Sequence, residues 1–371
     1  MFVTILHNHD HALLEDDPGR AARADVVNVA AAMADALRGG RRRIEVKPVD
    51  DVTSLADVLT GQPDVIVNLC ESLGADSRGE SLVPAMLELA NVCFTGSSSL
   101  SLSLSLHKNK AKEILRACGV PTPASVVIRR VEELVTVDLP FPLIVKPSRE
   151  DASVGIDFDS VVHDRASLGK LVSRVLRTFR QPALVEQYID GREIYVPLLG
   201  NEGRRPLPLT EIQFGAAFVN KPRIVSYGAK WDTESAECID SPARIVELSP
   251  AVTRRCVEVA LAAFDALECR DYGRIDLRLD SKSEPWVIDI NPNCDLHPQA
   301  GFSRAASAAG LSYSDLALHL VELAQERHHG NQTRRLTGPD AARRAAAPHR
   351  DVHGRRGGLR ARADRRREPA R

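Results

Sequence analysis

Short runs of aliphatic and β-branched residues alternate with helical stretches through the first 90 residues of the chain. Phe2–Leu6, Ile44–Val49 and Val65–Leu69 have the length and composition of buried strands. Arg20–Arg38 and Pro84–Ala90 carry apolar residues at helical spacing. Strands that alternate with helices form a parallel sheet covered by helices. This region therefore predicts an α/β unit.

Two further units of mixed helices and strands are predicted downstream. The first has a strand at Leu143–Val145, a polar loop at Ser148–Gly155, a strand at Gly155–Val162, a helix at Leu168–Phe179 and strands at Ala183–Ile189 and Glu193–Leu199. Asp190-Gly191, between the last two strands, is typical of a hairpin. The second has a helix at Pro250–Leu267, strands at Arg274–Leu279 and Trp286–Asn291, and a helix at Tyr313–Gln325.

The low-complexity run Ser97–Ser105 separates the N-terminal α/β unit from the unit that follows it. We interpret it as a linker that leads into a helix at Lys108–Cys118. The predicted division of the chain is residues 1–105, 106–185 and 186–328, followed by a disordered tail at 329–371. That tail is expected to be disordered because large apolar residues are almost absent from it.

Charge is distributed unevenly along the chain. The net charge is −1, but residues 331–371 carry +9 (13 Arg against 4 acids), which leaves −10 on residues 1–330. A basic tail can bind nucleic acid or acidic lipid, but this one has no aromatic residue for stacking, so we expect no nucleic-acid partner. Only 9 of the 49 basic residues are lysines, which makes each lysine a candidate for a role that arginine cannot fill.

The seven cysteines, an odd number with no CxxC pair, are typical of reduced thiols in a cytoplasmic protein. Neither a signal peptide nor an 18-residue apolar run is recognisable, so we expect no membrane segment. Familiar phosphate-binding and hydrolase signatures, such as the P-loop and GxGxxG, are absent as well. The chemistry must therefore come from other residues.

Two strand segments near the end of the chain carry acidic and amide side chains. Asp276 lies in the first of them, and Asp289 and Asn291 lie on one face of the second. A solvated strand face would explain this pattern, but the run WVIDINP is otherwise typical of a core. Burying two acids without a cation would cost free energy, and oxygen ligands of this kind suit Mg²⁺.

A lysine and two glutamates fit a nucleotide site. Lys146 ends an apolar strand and precedes a polar loop that contains Ser153, an arrangement suited to neutralising phosphate beneath a loop. A lysine that merely extends its charge to solvent is the simpler alternative. Glu186 can accept a hydrogen bond from an adenine amino group, and Glu193 can accept from ribose hydroxyls.

Taken together, these residues resemble a known family. The blocks NLCESLGADSRGES, CFTGS, LHKNKAKEILRACGVPTP, LIVKPSREDASVGI, LVEQYIDGREI, GRIDLRL, VIDINPN and FSRAASAAGLSYSDL are similar to those of the D-alanine–D-alanine ligases in the ATP-grasp superfamily. The resemblance runs from about residue 60 to 325. It implies an α/β (α+β) fold with an N-terminal Rossmann-like substrate domain, a small central lid domain and a C-terminal domain with the Mg²⁺ site.

The resemblance also implies roles for individual residues. For ATP, the matching residues are Lys108, Lys146, Glu186, Gln187, Ile189, Glu193 and Lys230. Asp276, Asp289 and Asn291 match the ligands of two Mg²⁺ ions, for which Mn²⁺ is an alternative. Arg274, Lys230 and Ser153 match catalytic positions, with Arg274 stabilising the acyl phosphate and Ser153 in the loop over the phosphates. Glu71, Trp231 and Ala300 fall at substrate-facing positions.

Four residues depart from the family pattern. The loop that usually reads Glu-Gly-Ser-Ser contains Ala152, which lacks the hydroxyl that normally links to a tyrosine, and Trp231 replaces that tyrosine. Cys70 stands at the position of a substrate-side histidine. Ala300 replaces the serine expected to hold a substrate carboxylate. The ATP and Mg²⁺ residues are thus kept while the substrate residues differ.

The expected reaction is ATP- and Mg²⁺-dependent joining of a carboxylate to an amine through an acyl phosphate. D-alanine is the first candidate substrate, and another amino acid or a peptide is the alternative. A nucleotide-binding protein without ligase activity is a third interpretation. The resemblance also allows a homodimer.

Overall fold

The computed structural model describes residues 1–9, 20–74 and 76–337, without the side chains of 20–23 and 331–337. Residues 1–328 form one compact unit. The boundaries predicted within it, near residues 105 and 185, stay predictions. A second unit comprises residues 329–371.

A parallel sheet of three strands forms the N-terminal part. The elements are β1 (Phe2–Asn8), α1 (Arg20–Leu37), β2 (Arg43–Val49), α2 (Val52–Thr60), β3 (Val65–Asn68), α3 (Leu82–Leu89), α4 (Ser99–Leu106) and α5 (Lys108–Ala117). The strand order is β2-β1-β3, with both neighbours parallel to β1. Val3 and Ile5 of β1 are fully buried in the same cluster as Ala30 and Met33 of α1. The predicted strand–helix alternation is confirmed.

The serine–leucine run is a helix in the structure, not a linker. The side chain of Ser98 accepts a hydrogen bond from the backbone N–H of Ser101 and so caps α4. Ser101, Leu102, Ser105 and Leu106 are buried. The low complexity of the run suggested a linker, but these small hydroxyl side chains are buried on one face of a helix.

An antiparallel sheet of four strands forms the central part. Its elements are β4 (Ser125–Ile128), β5 (Leu143–Pro147), β6 (Val161–Val162), α6 (Arg165–Thr178) and β7 (Ala183–Gln187), with the strand order β4-β7-β5-β6. The strand predicted at Gly155–Val162 is wrong except for its last two residues. Gly155 has a φ of +76°, and Phe158–Ser160 forms a single 3-10 turn, so the chain cannot extend there.

A larger antiparallel sheet forms the C-terminal part. The elements are β8 (Arg192–Leu199), β9 (Arg205–Pro206), β10 (Thr210–Ile212), α7 (Tyr227–Trp231), α8 (Ala236–Ile239), β11 (Ala243–Ile245), α9 (Pro250–Ala266), β12 (Tyr272–Leu279), β13 (Pro285–Asn291), α10 (Gly301–Ala308) and α11 (Tyr313–Thr337). The strand order is β11-β10-β8-β12-β13, and β9 pairs with β8. Helix α9 buries Val259, Ala263 and Phe264 in one cluster with Ile275 of β12.

The hairpin predicted at Asp190-Gly191 is wrong, because β7 and β8 belong to different sheets. Gly191 is explained by close packing instead of by a turn. A Cβ atom at this position would lie 1.8 Å from the carbonyl oxygen of Leu279, so only glycine fits.

Helix α11 extends to Thr337, beyond the end predicted at Gln325. The rest of the tail predicted to be disordered lies outside the described residues. None of the helices in the described part of the chain is long and apolar enough to cross a membrane.

Candidate active site

A cavity of about 460 Å³ is lined by residues from both antiparallel sheets and their connecting loops. It brings together every residue predicted for ATP, metal and catalysis: Lys108, Lys146, Ser153, Glu186, Gln187, Ile189, Glu193, Lys230, Arg274, Asp276, Asp289 and Asn291. Trp231 and Ala300 line it as well. Glu71 does not, and it lines a second, adjoining cavity of about 110 Å³.

The two acidic strands meet as the sequence predicts. Asp276 of β12 pairs in register with Asp289 of β13, and the Asn291 amide donates a hydrogen bond to Asp276 Oδ2 at 3.2 Å. Arg274 holds Asp276 by two hydrogen bonds, from Nε at 2.7 Å and from Nη2 at 2.8 Å. Burial nevertheless raises the pKa of Asp276 above its ordinary value.

These three side chains fit a divalent cation. They supply two carboxylates and an amide oxygen, a donor set that suits Mg²⁺ with phosphate oxygens completing the shell. No group of three or more His, Cys, Asp or Glu side chains able to hold a metal occurs among the described residues. The asparagine and the nucleotide would therefore have to complete the coordination.

Lys108 lies between strand β13 and the loop that contains Asp151. Its ammonium donates to Asp289 Oδ1 at 2.9 Å and to Asp151 Oδ1 at 2.9 Å. Burial lowers the pKa of Lys108, but the two carboxylates outweigh it and raise the pKa above its ordinary value. Lys108 and Lys146 likewise hold the pKa of Asp289 low against its burial. Lys108 is thus a fixed cation at the proposed metal and phosphate position.

A buried charge cluster surrounds the predicted adenine acceptor. Glu186, 1% exposed, forms ion pairs with Lys146 and with Lys112, which the sequence reasoning missed. Lys112 also donates to Thr122 Oγ1 at 2.8 Å. Burial lowers the pKa of Lys112 to about 8, while the two lysines keep the pKa of Glu186 low despite its burial. Lys112 lies four residues after Lys108, on the same helix face, and that spacing could have identified it.

Glu193, the predicted ribose acceptor, also has a partner that the sequence did not predict. Arg278, a buried residue of β12, donates from Nη2 to Glu193 Oε2 at 2.8 Å. The Tyr195 hydroxyl donates to Glu193 Oε1 at 2.9 Å. Because residues two apart share a strand face, Arg278 follows Arg274 and Asp276 into the cavity. The alternation in the run RIDLRL is the signal that could have found it.

Helix α7 and the loop that contains Ala152 meet at the cavity. The Trp231 indole nitrogen donates to the carbonyl oxygen of Ala152 at 3.0 Å, and the backbone N–H of Tyr227 donates to the carbonyl oxygen of Ile156 at 2.9 Å. Ala152 and Ser153 have φ values of +52° and +63°. Successive backbone amides in such unusual turn conformations form concavities that bind anions.

Lys230 lies at the end of α7, with its ammonium 5.2 Å from the centre of the Trp231 ring. Burial, assisted by the Arg274 charge, lowers the pKa of Lys230 below its ordinary value. The negative charge of a bound phosphate group would raise the pKa of Lys230 again. The position of Lys230 therefore suits a lysine that contacts phosphate only when ATP is bound.

The substrate side differs from the nucleotide side. Cys70 is fully buried, and Ala300 immediately precedes α10 without a side-chain cap. Burial, with smaller contributions from Asp295 and other carboxylates, raises the pKa of Glu71 to about 8. The predicted substrate residues thus lie beside the nucleotide residues, but their chemistry is acidic or apolar.

Comparisons with known proteins agree with this geometry. The profile of the family described as "D-ala D-ala ligase C-terminus" matches residues 115–322. An uncharacterized protein of Sinorhizobium fredii is 38% identical over 275 residues, covering 74% of this chain and 79% of that protein. The D-alanine–D-alanine ligase of Methylobacterium radiotolerans is 32% identical, covering 82% of this chain and 95% of that protein.

Solved structures extend the likeness to the fold. A D-alanine–D-alanine ligase from Bacillus anthracis complexed with ATP superimposes with a TM-score of 0.70 at 20% identity, covering 89% of this chain and 99% of that one. The enzyme from Coxiella burnetii gives a TM-score of 0.70 at 19% identity, covering 92% and 99%. The chain therefore has the ATP-grasp fold and belongs to the D-alanine–D-alanine ligase family of ATP-dependent ligases that form carbon–nitrogen bonds.

Proposed function

We propose that this protein joins the carboxylate of one amino acid to the amine of another in an ATP- and Mg²⁺-dependent reaction. The observation that carries the proposal is the cavity itself, because all predicted nucleotide, metal and catalytic residues line it. D-alanine is the first candidate substrate, since relatives 30–32% identical to this chain are described as D-alanine–D-alanine ligases. Another amino acid or a peptide is the alternative.

In the proposed mechanism the chain mainly positions and neutralises charge. A carboxylate becomes reactive towards an amine once the γ-phosphoryl group of ATP is transferred to it as an acyl phosphate. Transfer of this kind depends on orientation and on stabilising the charge of the phosphoryl oxygens. Lys108, Lys146 and Lys230 supply positive charge, and bound Mg²⁺ would add to it at Asp276, Asp289 and Asn291.

Other residues bind the adenosine part of ATP and the acyl phosphate. The resemblance assigns Glu186 to the adenine amino group and Glu193 to the ribose hydroxyls. Both oxygens of Glu186 are buried against Lys112 and Lys146, so the adenine contact requires a shift of these side chains. Arg274, next to Asp276, stabilises the negative charge that develops on the acyl phosphate. The contact of Trp231 with Ala152 keeps the loop containing Ser153 over the phosphates and excludes water that would hydrolyse the intermediate.

Phosphate release tests the proposal. The full-length protein is incubated with ATP and Mg²⁺, alone and with D-alanine, other amino acids of both configurations and short peptides. Release of ADP and phosphate with formation of an amide product, detected by mass spectrometry, is expected with at least one pair. ATP binding without amino-acid-dependent release from any pair would contradict the proposal.

We also propose a homodimer in the cytoplasm. The dimer rests on the family resemblance and is tested by light scattering of the purified protein. The location rests on the need for ATP and on the seven cysteines, all of which are free thiols in the structure.

A further inference from the structure

Glu193, which the resemblance assigns to the ribose hydroxyls, lies on a wall of the large cavity that two neighbouring strands form. Glu193 of β8 pairs in register with Arg278 of β12, and the next pair on the same face is Tyr195 with Asp276. All four residues line the cavity. The sheet therefore places Arg278 and Tyr195 directly beside the predicted ribose acceptor.

Each carboxylate oxygen of Glu193 accepts a hydrogen bond from one of these two side chains. Arg278 Nη2 donates to Oε2 at 2.8 Å, and the Tyr195 hydroxyl donates to Oε1 at 2.9 Å. Burial, with a smaller contribution from Glu193, raises the pKa of Tyr195 well above its ordinary value, so this hydroxyl keeps its proton. An ionised carboxylate has about four lone-pair directions, shared equally by its two oxygens. One direction on each oxygen therefore remains after these two contacts.

Arg278 is itself held in place by the backbone. Its side chain is 4% exposed, Nη1 donates to the carbonyl oxygen of Gly191 at 3.0 Å, and Nη2 also donates to the carbonyl oxygen of Arg223. Gly191 lies this close to the end of β12 because it has no side chain to collide with Leu279. A guanidinium is a rigid planar fork of donors, so these contacts fix its orientation towards Glu193.

One remaining lone pair on each of two neighbouring oxygens suits a vicinal diol. The 2′- and 3′-hydroxyls of a ribose lie on adjacent carbons, and a carboxylate is the group that accepts from ribose hydroxyls in dinucleotide-binding folds. A free glutamate side chain would lose rotamer freedom when it bound the diol, which weakens binding. With Arg278 and Tyr195 in place, the carboxylate of Glu193 is already oriented before the nucleotide arrives.

We infer that Arg278 and Tyr195 are positioning residues that set the preference of this site for ribonucleotides over deoxyribonucleotides. They hold the carboxylate of Glu193 so that its remaining lone pairs accept from both ribose hydroxyls. The inference rests on the proposed nucleotide site and adds two residues that the resemblance does not assign. Loss of either contact weakens the binding of a ribonucleotide but hardly that of a deoxyribonucleotide, since only the former uses the oriented carboxylate fully.

Calorimetry of the full-length protein with Mg²⁺ and ADP, 2′-deoxyADP or 3′-deoxyADP tests this inference without turnover. A hydrogen bond to a charged group is worth about tenfold or more in affinity. We therefore expect the parent protein to bind ADP about tenfold more tightly than either deoxynucleotide. Arg278→Met should reduce this preference to about twofold, and Tyr195→Phe should reduce it about threefold. In both variants the affinity for 2′-deoxyADP should stay within about threefold of the parent value.

The matched control is Arg192→Met. Arg192 precedes Glu193 on the same strand, forms an ion pair with Glu211 and lines neither cavity, so this variant should keep the preference of the parent protein. Tyr195→Phe removes the hydroxyl but keeps the ring, whose centre lies 4.3 Å from the guanidinium carbon of Arg274. This conservative variant decides the inference even if Arg278→Met does not fold.

A double-mutant cycle assigns the effect to Glu193. Glu193→Gln removes the charged acceptor and should itself abolish most of the preference for ADP. Adding Arg278→Met to Glu193→Gln should then change the remaining preference by less than about twofold, because the two residues act through one contact. A further large loss in the double variant would mean that Arg278 acts on the nucleotide independently of Glu193, which overturns the positioning role.

The outcomes separate the inference from the proposed function. Equal affinity of the parent protein for ADP and both deoxynucleotides overturns the inference, as does a preference that both variants keep unchanged. An equal loss of affinity for all three nucleotides shows that Arg278 and Tyr195 only support the fold, which also overturns it. Absence of amino-acid-dependent phosphate release contradicts the ligase proposal alone, because the affinities need no turnover. Failure to bind any of the three nucleotides contradicts both.

Discussion

The indole nitrogen of Trp231 donates a hydrogen bond to the backbone carbonyl oxygen of Ala152, at a distance of 3.0 Å. In the family pattern, a tyrosine and a serine hydroxyl join the same two segments, and this chain has neither residue at those positions. The tryptophan restores the connection by using a backbone acceptor, which no substitution at position 152 can remove. The chain therefore lacks the tyrosine–serine pair of the family but keeps a contact between the same two segments.

Replacing Trp231 by phenylalanine should loosen this loop contact. The ring is kept but the donor is lost, and one hydrogen bond is worth about 1 kcal/mol, or about fivefold in an equilibrium. We expect the KM for ATP to rise about three- to tenfold, measured by phosphate release. Trp286→Phe is the matched control, because the only other tryptophan donates to Asp280 and lines neither cavity. Equal effects of both substitutions would argue against a specific loop contact.

Replacing Lys112 by methionine should destabilise the fold. It leaves the buried carboxylate of Glu186 with Lys146 as its only ion-pair partner among the described residues. Breaking a buried ion pair costs about 3–5 kcal/mol, so we expect a loss of this size in the free energy of unfolding by urea denaturation.

The Lys112 interpretation has two internal checks. Lys110→Met removes an exposed lysine from the same helix and should change the free energy of unfolding by less than about 1 kcal/mol. Adding Glu186→Gln to Lys112→Met should recover part of the loss, since an uncharged amide tolerates burial better than an unpaired carboxylate. No recovery in the double variant would mean that Lys112 acts through packing and not through charge.

The convergence of the acids could be predicted because it depends on local rules. Alternation along a strand sets which side chains share a face, and two consecutive strands tend to pair, so Asp276 and Asp289 were expected together. Lys112 and Arg278 were missed because their importance comes from burial against Glu186 and Glu193, which the sequence does not show directly.

The errors in the fold also have physical causes. Gly191 was interpreted as a turn residue, whereas its lack of a side chain accommodates the carbonyl oxygen of Leu279 from β12. That contact joins segments 88 residues apart and leaves no local signal. The serines of α4 were interpreted as part of a linker because the run has low complexity, but tertiary packing buries Ser101 and Ser105. In both cases a long-range contact overrides the local preference.

Replacing Asp289 by asparagine tests the proposed metal site. The side chain keeps its shape but loses the charge that faces Lys108 and would bind Mg²⁺. Removing one group that stabilises the transferring phosphoryl should lower kcat by at least about 100-fold. Calorimetric titration of the ATP-bound protein with Mg²⁺ should show weaker binding by tenfold or more. Near-normal turnover at ordinary Mg²⁺ concentrations would remove Asp289 from the metal ligands.

The raised pKa of Glu71 predicts that the stability of the fold depends on pH. Burial and nearby carboxylates raise its pKa from 4.5 to about 8, so between these values the folded protein binds more protons at this group than the unfolded chain. Stability must then fall as pH rises from about 5 to 8, and the contribution levels off above 8. The substitution Glu71→Gln removes this titration, so the variant should gain stability over the parent protein progressively across that range. Urea denaturation at pH 5, 6, 7 and 8 measures the difference, and a difference that stays constant with pH would show that Glu71 is ionised in the folded protein throughout.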